Sequence, residues 1–158
     1  MSRRSLLNLL LSLLVLGLIL LVWWLQPQGL PPLTSLQPEQ VERIRISDAR
    51  GRDIRLEKRS GHWWLDQTPA NEPRIEQLLG ICTTPSLRRF PTAQRAMAEF
   101  GLADPALRLW LNDLELAFGT TDPINGWRYV RLDGQIHLIG DGFQHHLTAP
   151  AAAFIETE

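Results

Sequence analysis

VERIRISDARGRDIRLEKRSGHWWLD, residues Val41 to Asp66, alternates apolar and charged side chains twice and then presents two tryptophans. Ile44 and Ile46 share one face of an extended chain, with Arg43 and Arg45 on the other. Ile54 and Leu56 alternate in the same way against Asp53, Arg55 and Glu57, and ARGRD between the two segments is turn chemistry. An antiparallel hairpin follows. Ser60-Gly61 then turns the chain into a third short strand, His62 to Asp66. Trp63 and Trp64 point to opposite faces there, one into a core and one toward a loop or helix.

The rest of the body extends this plan. PANEP supplies a turn, with Asn71 an N-cap. Ile75, Leu78, Leu79 and Cys82 fall at helical spacing, so Glu72 to Cys82 reads as an amphipathic helix with Cys82 on its core stripe. Leu87 to Phe90 reads as a brief extended piece. Thr92 is placed to cap a second helix, Ala93 to Phe100, which Gly101 ends in the left-handed conformation with Leu102 packing just beyond. Four strands follow: Leu107–Leu111, Leu114–Phe118, Trp127–Leu132 and Gln135–Gly140. Asp133-Gly134 joins the last two as a tight hairpin turn. Thr148 is placed to cap a last short helix, Ala151 to Ile155. The expected class is α+β: a mostly antiparallel sheet of about seven short strands, with two to three helices over one face, occupying 41–158.

Ahead of the body, Ser5 to Leu25 is 21 residues without a charge. At ~1.5 Å per residue this is about 30 Å, the thickness of a bilayer's hydrocarbon layer. The run exceeds a signal-peptide core, and Trp23 and Trp24 stand where small cleavage-site residues would be. Residues 1–25 are therefore expected to form a retained transmembrane signal anchor, with Trp23 and Trp24 as an interfacial belt. Arg3 and Arg4 precede the run, and no charge follows until Glu39. The cation bias leaves the N-terminus in the cytoplasm and exports the body. Ser5, Asn8 and Ser12 share one helix face and form a candidate helix–helix seam, or simply lie where polar groups cost little. Residues 26–40, with four prolines and one glycine, read as an extended linker.

Net charge is −1, which gives a nucleic-acid role no support. Charge is nonetheless uneven. Seven basic residues stand against four acidic ones between Glu42 and Arg59, and three against nine from Ala96 onward. Arg43, Arg45, Arg52, Arg55 and Arg59 thus form a candidate partner surface, together with the aromatics Trp110 and Trp127. Little points to chemistry. His137, Asp141, His145 and His146 cluster in sequence, but adjacent histidines on an extended chain diverge. IGDGF lacks phosphate-loop spacing, no nucleophile elbow is present, and Arg88 and Arg89 are either an anion grip or an ordinary exposed pair. No catalytic residue, cofactor or metal is assigned.

GHWWLDQTPAN, then EFGLADPALRLWL, LELAFG, WRYVRL and IHLI occur in this order from about Val41 to the end. Together they resemble the domain-of-unknown-function 4340 family of bacterial envelope proteins. That resemblance implies an N-terminal membrane tether, and for some members a place beside components resembling ABC transporters. It carries no catalytic residues. The expected protein is a single-pass inner-membrane protein with a periplasmic, non-catalytic adaptor domain that binds a protein partner in an envelope complex. A tethered module for a small ligand, lipid or peptide is the alternative, and an envelope hydrolase a third.

Overall fold

The structure is a computed structural model that describes residues 3–24, 29–92 and 97–156; before Leu10, side chains are described for Asn8 alone. Helix α1 covers Arg3–Trp24, and its described side chains are exposed throughout, Trp23 and Trp24 most of all. Among the described residues no helix is long and apolar enough to cross a membrane. The expected transmembrane helix is therefore corrected to a helix of 22 residues, Arg3–Trp24, with no membrane span assigned among the described residues. Asn8 and Ser12 are both exposed on it, while the side chains of Arg3, Arg4 and Ser5 lie outside the described residues.

The body is α+β, built on one antiparallel sheet of nine strands rather than seven. In chain order these are β1 Arg43–Asp48, β2 Asp53–Arg59, β3 His62–Leu65, β4 Thr68–Pro69, β5 Arg88–Pro91, β6 Leu107–Leu111, β7 Leu114–Thr121, β8 Arg128–Leu132 and β9 Gln135–Ile139. Their spatial order is β4-β3-β2-β1-β6-β7-β8-β9-β5. The two additional strands lie at the edges. β4 is only two residues long, and β5 (RRFP) is the extended piece expected at Leu87 to Phe90, paired here onto β9. The anticipated hairpins form in the register their alternation dictates. Ile44 faces Leu56 and Ile46 faces Ile54. Asp133 (φ 46°) and Gly134 (φ 72°) both take the left-handed conformation that a two-residue hairpin turn requires.

Pairing of β1 with β6 joins the two hairpin groups, and the apolar face becomes continuous across them. Ile44, Ile46, Leu56, Leu109, Leu116 and Phe118 lie fully or almost fully buried on it. Helix α2, Glu72–Leu79, covers this face with Ile75, Leu78 and Leu79. The Asn71 carboxamide accepts from the Arg74 backbone N–H at 3.1 Å, so the cap reads true. The helix then tightens into a 3-10 turn, Gly80–Thr83, which buries Cys82. A short helix α3, Gln144–Leu147, and a 3-10 turn, Ala151–Phe154, complete the layer. Thr148 does not cap that turn; its hydroxyl donates back to the Gln144 carbonyl, and Pro150 takes the cap position.

Among the described residues, the opposite face is covered over one half only. Phe100 and Leu102 pack across it onto Ile136, with Phe90 and Tyr129 beside them. Residues 93–96 of the anticipated second helix lie outside the described residues, and 97–100 form a turn. Gly101 at φ 66° reverses the chain, and the Leu102 N–H donates to the Met97 carbonyl, a helix-stop geometry. Thr92 instead donates to the Gly134 carbonyl.

The linker is the main departure. Its second half is part of the domain. Leu33 and Thr34 are buried, and the Leu33 and Thr34 N–H groups donate to the Thr84 and Cys82 carbonyls. Ser86 N–H donates to the Pro31 carbonyl, and Thr34 Oγ1 to the Cys82 carbonyl. Residues 31–40 thus run as a strap along 82–86 to Asn112, whose side-chain amide donates to the Gln40 carbonyl. Proline richness signalled extension correctly; it did not reveal that Leu33 had a hydrophobic seat.

Gly119 is the tightest joint. A Cβ there would collide with the Phe100 carbonyl and press on Leu102 at 3.0 Å. Gly119→Ala is expected to lower unfolding free energy by about 1–3 kcal/mol, as overpacking does, read as a reduced midpoint in urea with the cooperative slope retained.

Candidate functional site

The half-covered face leaves β1, β2 and β6 open. Strand alternation places Arg43 and Arg45 from β1, Arg55 and Arg59 from β2, and Trp110 from β6 there. Arg108 and Arg131 continue the cationic rows. The carboxylates beside them are Asp53, Glu57, Glu115 and, from the β6–β7 turn, Asp113, so six arginines stand against four acids. Arg45 grips Asp53 with Nε at 2.7 Å and a second nitrogen at 3.3 Å, and Arg55 reaches the same carboxylate at 2.7 Å. Arg59 pairs with Glu57 at 2.7 Å and Arg43 with Asp113 at 3.1 Å. These exposed pairs contribute little to stability. What they do is hold long side chains in place. The hydrogen bonds from Arg45 and Arg55 also keep the Asp53 carboxyl below its ordinary range.

Arg45 lies over the Trp110 ring at 4.9 Å from its centroid, a cation–π contact. Around it is an open depression of about 280 Å³ lined by Arg43, Arg45, Arg55, Trp110 and Asn112. A half-buried tryptophan braced by arginines is the composition of an interface anchor. Trp127 is also half-buried, but lies elsewhere, where β8 begins.

Arg52 does not join this surface. It sits in the β1–β2 turn, pairs with Asp48 at 3.0 Å, and donates to the Leu147 and Ala149 carbonyls. Asp48 in turn accepts the Arg50 and Arg52 backbone N–H groups, which hold its carboxyl low. Sequence grouped Arg52 with its neighbours because charge alone does not tell a clasp from a free cation. Arg52→Ala is expected to cost about 1.5–3 kcal/mol, as lost charge-assisted hydrogen bonds do, whereas Arg45→Ala leaves the melting temperature within about 1–2 °C. Differential scanning calorimetry of the two variants separates the roles.

The histidine cluster divides. His145 and His146 stand on α3, not on an extended chain, and their rings meet at 3.8 Å. Asp141 is engaged by Arg128. His137 is buried beside the Ser86 hydroxyl, Oγ to Nδ1 2.9 Å. No cluster of three metal-ligating side chains occurs among the described residues. Cys82, expected on the core stripe, is fully buried, and burial pushes its thiol pKa up, away from nucleophilic use. Arg88 and Arg89 are exposed on β5.

The profile of a family described as "Domain of unknown function (DUF4340)" matches residues 65–158. The chain belongs to the DUF4340 family. The match begins at Leu65 and not near Val41, so β1 and β2 lie before the DUF4340 segment, and the open face is assembled across that boundary. No curated protein and no solved structure matches the chain.

Burial lowers the pKa of His137, helped by the Arg89 charge, and of His146, helped by His145 and Arg74. Each folded-state value lies below the ordinary 6.5, so the unfolded chain binds more protons as pH falls through that value. Their contribution is complete above it and lost below it. Urea titrations from pH 7.5 to about pH 5 are expected to show falling stability, by up to about 1.4 kcal/mol per pH unit per histidine, with a shallower slope in His137→Gln.

Proposed function

We propose that this DUF4340 protein is a non-catalytic adaptor of the bacterial envelope that binds a protein partner through the Arg45–Trp110 face. The observation that carries this is the half-covered sheet. An antiparallel sheet can leave one face to water, but here that face carries a braced tryptophan amid ordered arginines. Its charge fits an acidic partner segment. The buried groups with displaced pKa values, Cys82, His137 and His146, lie away from it. Ser86 and His137 are buried together, and Cys82 is in the core. This supports binding over hydrolysis.

The adaptor is tethered at the inner membrane by its N-terminal segment, N-terminus in the cytoplasm and body in the periplasm. Supporting this are the uncharged run Ser5 to Leu25, the preceding Arg3 and Arg4, and a helix whose described side chains are all exposed and need another environment. Tethering confines the domain to two dimensions and raises its effective concentration for membrane-bound partners. A transporter-like assembly is a suitable setting. A small-ligand module is the second reading; the depression is open and has four charged side chains in its lining, whereas ligand pockets are concave and mostly apolar, which favours a macromolecular partner.

A photo-crosslinking residue in place of Trp110 in intact cells is expected to trap one discrete protein. The same residue in place of Gln77, exposed on α2, is expected not to, and Arg45→Glu combined with the position-110 probe is expected to reduce the adduct about tenfold. Equal trapping at 77 and 110 rules the surface out.

A further inference from the structure

Outside α1, the large hydrophobic side chains exposed among the described residues are Leu30, at 54%, and Ile124, at 87%. They belong to the same end of the sheet. Leu30 precedes Pro31, whose carbonyl accepts from Ser86 N–H. Leu87 N–H then donates to the Leu138 carbonyl, and Leu138 lies opposite Tyr129. β8 begins there, preceded by the loop that carries Ile124. That loop is closed by Asp122 N–H to the Trp127 carbonyl at 2.6 Å and by Asn125 to Asp122 at 2.8 Å, so Ile124 is held out on a built turn. Beside it are Arg88 and Arg89, exposed and in no salt bridge among the described residues, and the half-buried Trp127.

The strap decides what this end faces. Because residues 31–40 are hydrogen-bonded to the body, the chain from Trp24 to Pro31 is long enough to span at most about 25 Å, not the several tens of ångströms of a linker running to residue 40. The strap enters at this end and finishes at the other, near Asn112. Building on the tether reading above, we propose that the sheet end formed by Leu30, Arg88, Arg89, Ile124 and Trp127 rests on an anionic bilayer surface. An exposed aliphatic tip, an amphipathic tryptophan and two exposed guanidinium groups, Arg88 near enough to Asp122 to act on its carboxyl, are side chains that partition into a headgroup layer. With this end down, the Arg45–Trp110 face stands roughly perpendicular to the bilayer, open to a neighbour in the same membrane.

The test uses the full chain reconstituted into phosphatidylethanolamine–phosphatidylglycerol vesicles containing spin-labelled lipid. An environment-sensitive fluorophore is placed at Ile124→Cys or at Asp113→Cys; Asp113 lies at the opposite end, beyond the length of β7. Cys82 is buried and does not compete for label. Both proteins are expected to co-float with vesicles. Quenching at 124 is expected to exceed that at 113 about threefold, and to fall toward the 113 value with Arg88→Glu and Arg89→Glu together. Absence of flotation overturns the tether and this contact together. Flotation with equal quenching at the two positions, or more at 113, overturns the contact and leaves the tether standing.

Discussion

The close approach of Gly119 to the Phe100 carbonyl organises more of this molecule than any ion pair does. The Thr120 N–H donates to that carbonyl at 2.9 Å, and the chain at 97–102 is pinned across β7 where a side chain would keep it away. From that point Phe100 and Leu102 can reach Ile136 on the face that α2 does not cover. One glycine thus sets where a second layer of cover begins. It also sets where that layer stops, because no described segment lies over β1, β2 and β6 on that side.

The uncovered half has the composition that its exposure demands. Arginines alternate with isoleucines in β1 because one side meets water and the other meets α2. Water alone would be satisfied by any polar residue. The regular placement of guanidinium groups around Trp110, each held by Asp53, Glu57 or Asp113, is more ordered than solvation requires. It resembles a prepared contact, with the rotamer freedom of long side chains already partly spent before a partner arrives.

Period-two alternation made the hairpins legible, and the Asn71 cap and Asp133-Gly134 turn were readable because each rests on local backbone chemistry. What escaped was non-local. β4 and β5 are strands only because β3 and β9 offer them edges. Leu33 looked like linker because its pocket is made by residues some fifty positions away. Arg52 looked like surface because the carbonyls of Leu147 and Ala149 that receive it are nearly a hundred positions on. His145 and His146 were misjudged through a wrong local conformation: four helical residues bring together rings that a strand would separate. At the candidate site, sequence supplied the arginines and offered both Trp110 and Trp127; only the register of β1 against β6 selects Trp110.

That register carries a cost during synthesis. Ile44 and Ile46 find Leu111 and Leu109 only after the intervening chain exists, and at ~5–20 residues per second the wait is several seconds. Through that interval β1 keeps a greasy, hydrogen-bond-hungry border with nothing beside it. The arginines that alternate along it carry like charge, so two nascent copies meeting edge to edge would repel. The same side chains that later face outward can thus guard the half-made sheet against its own kind.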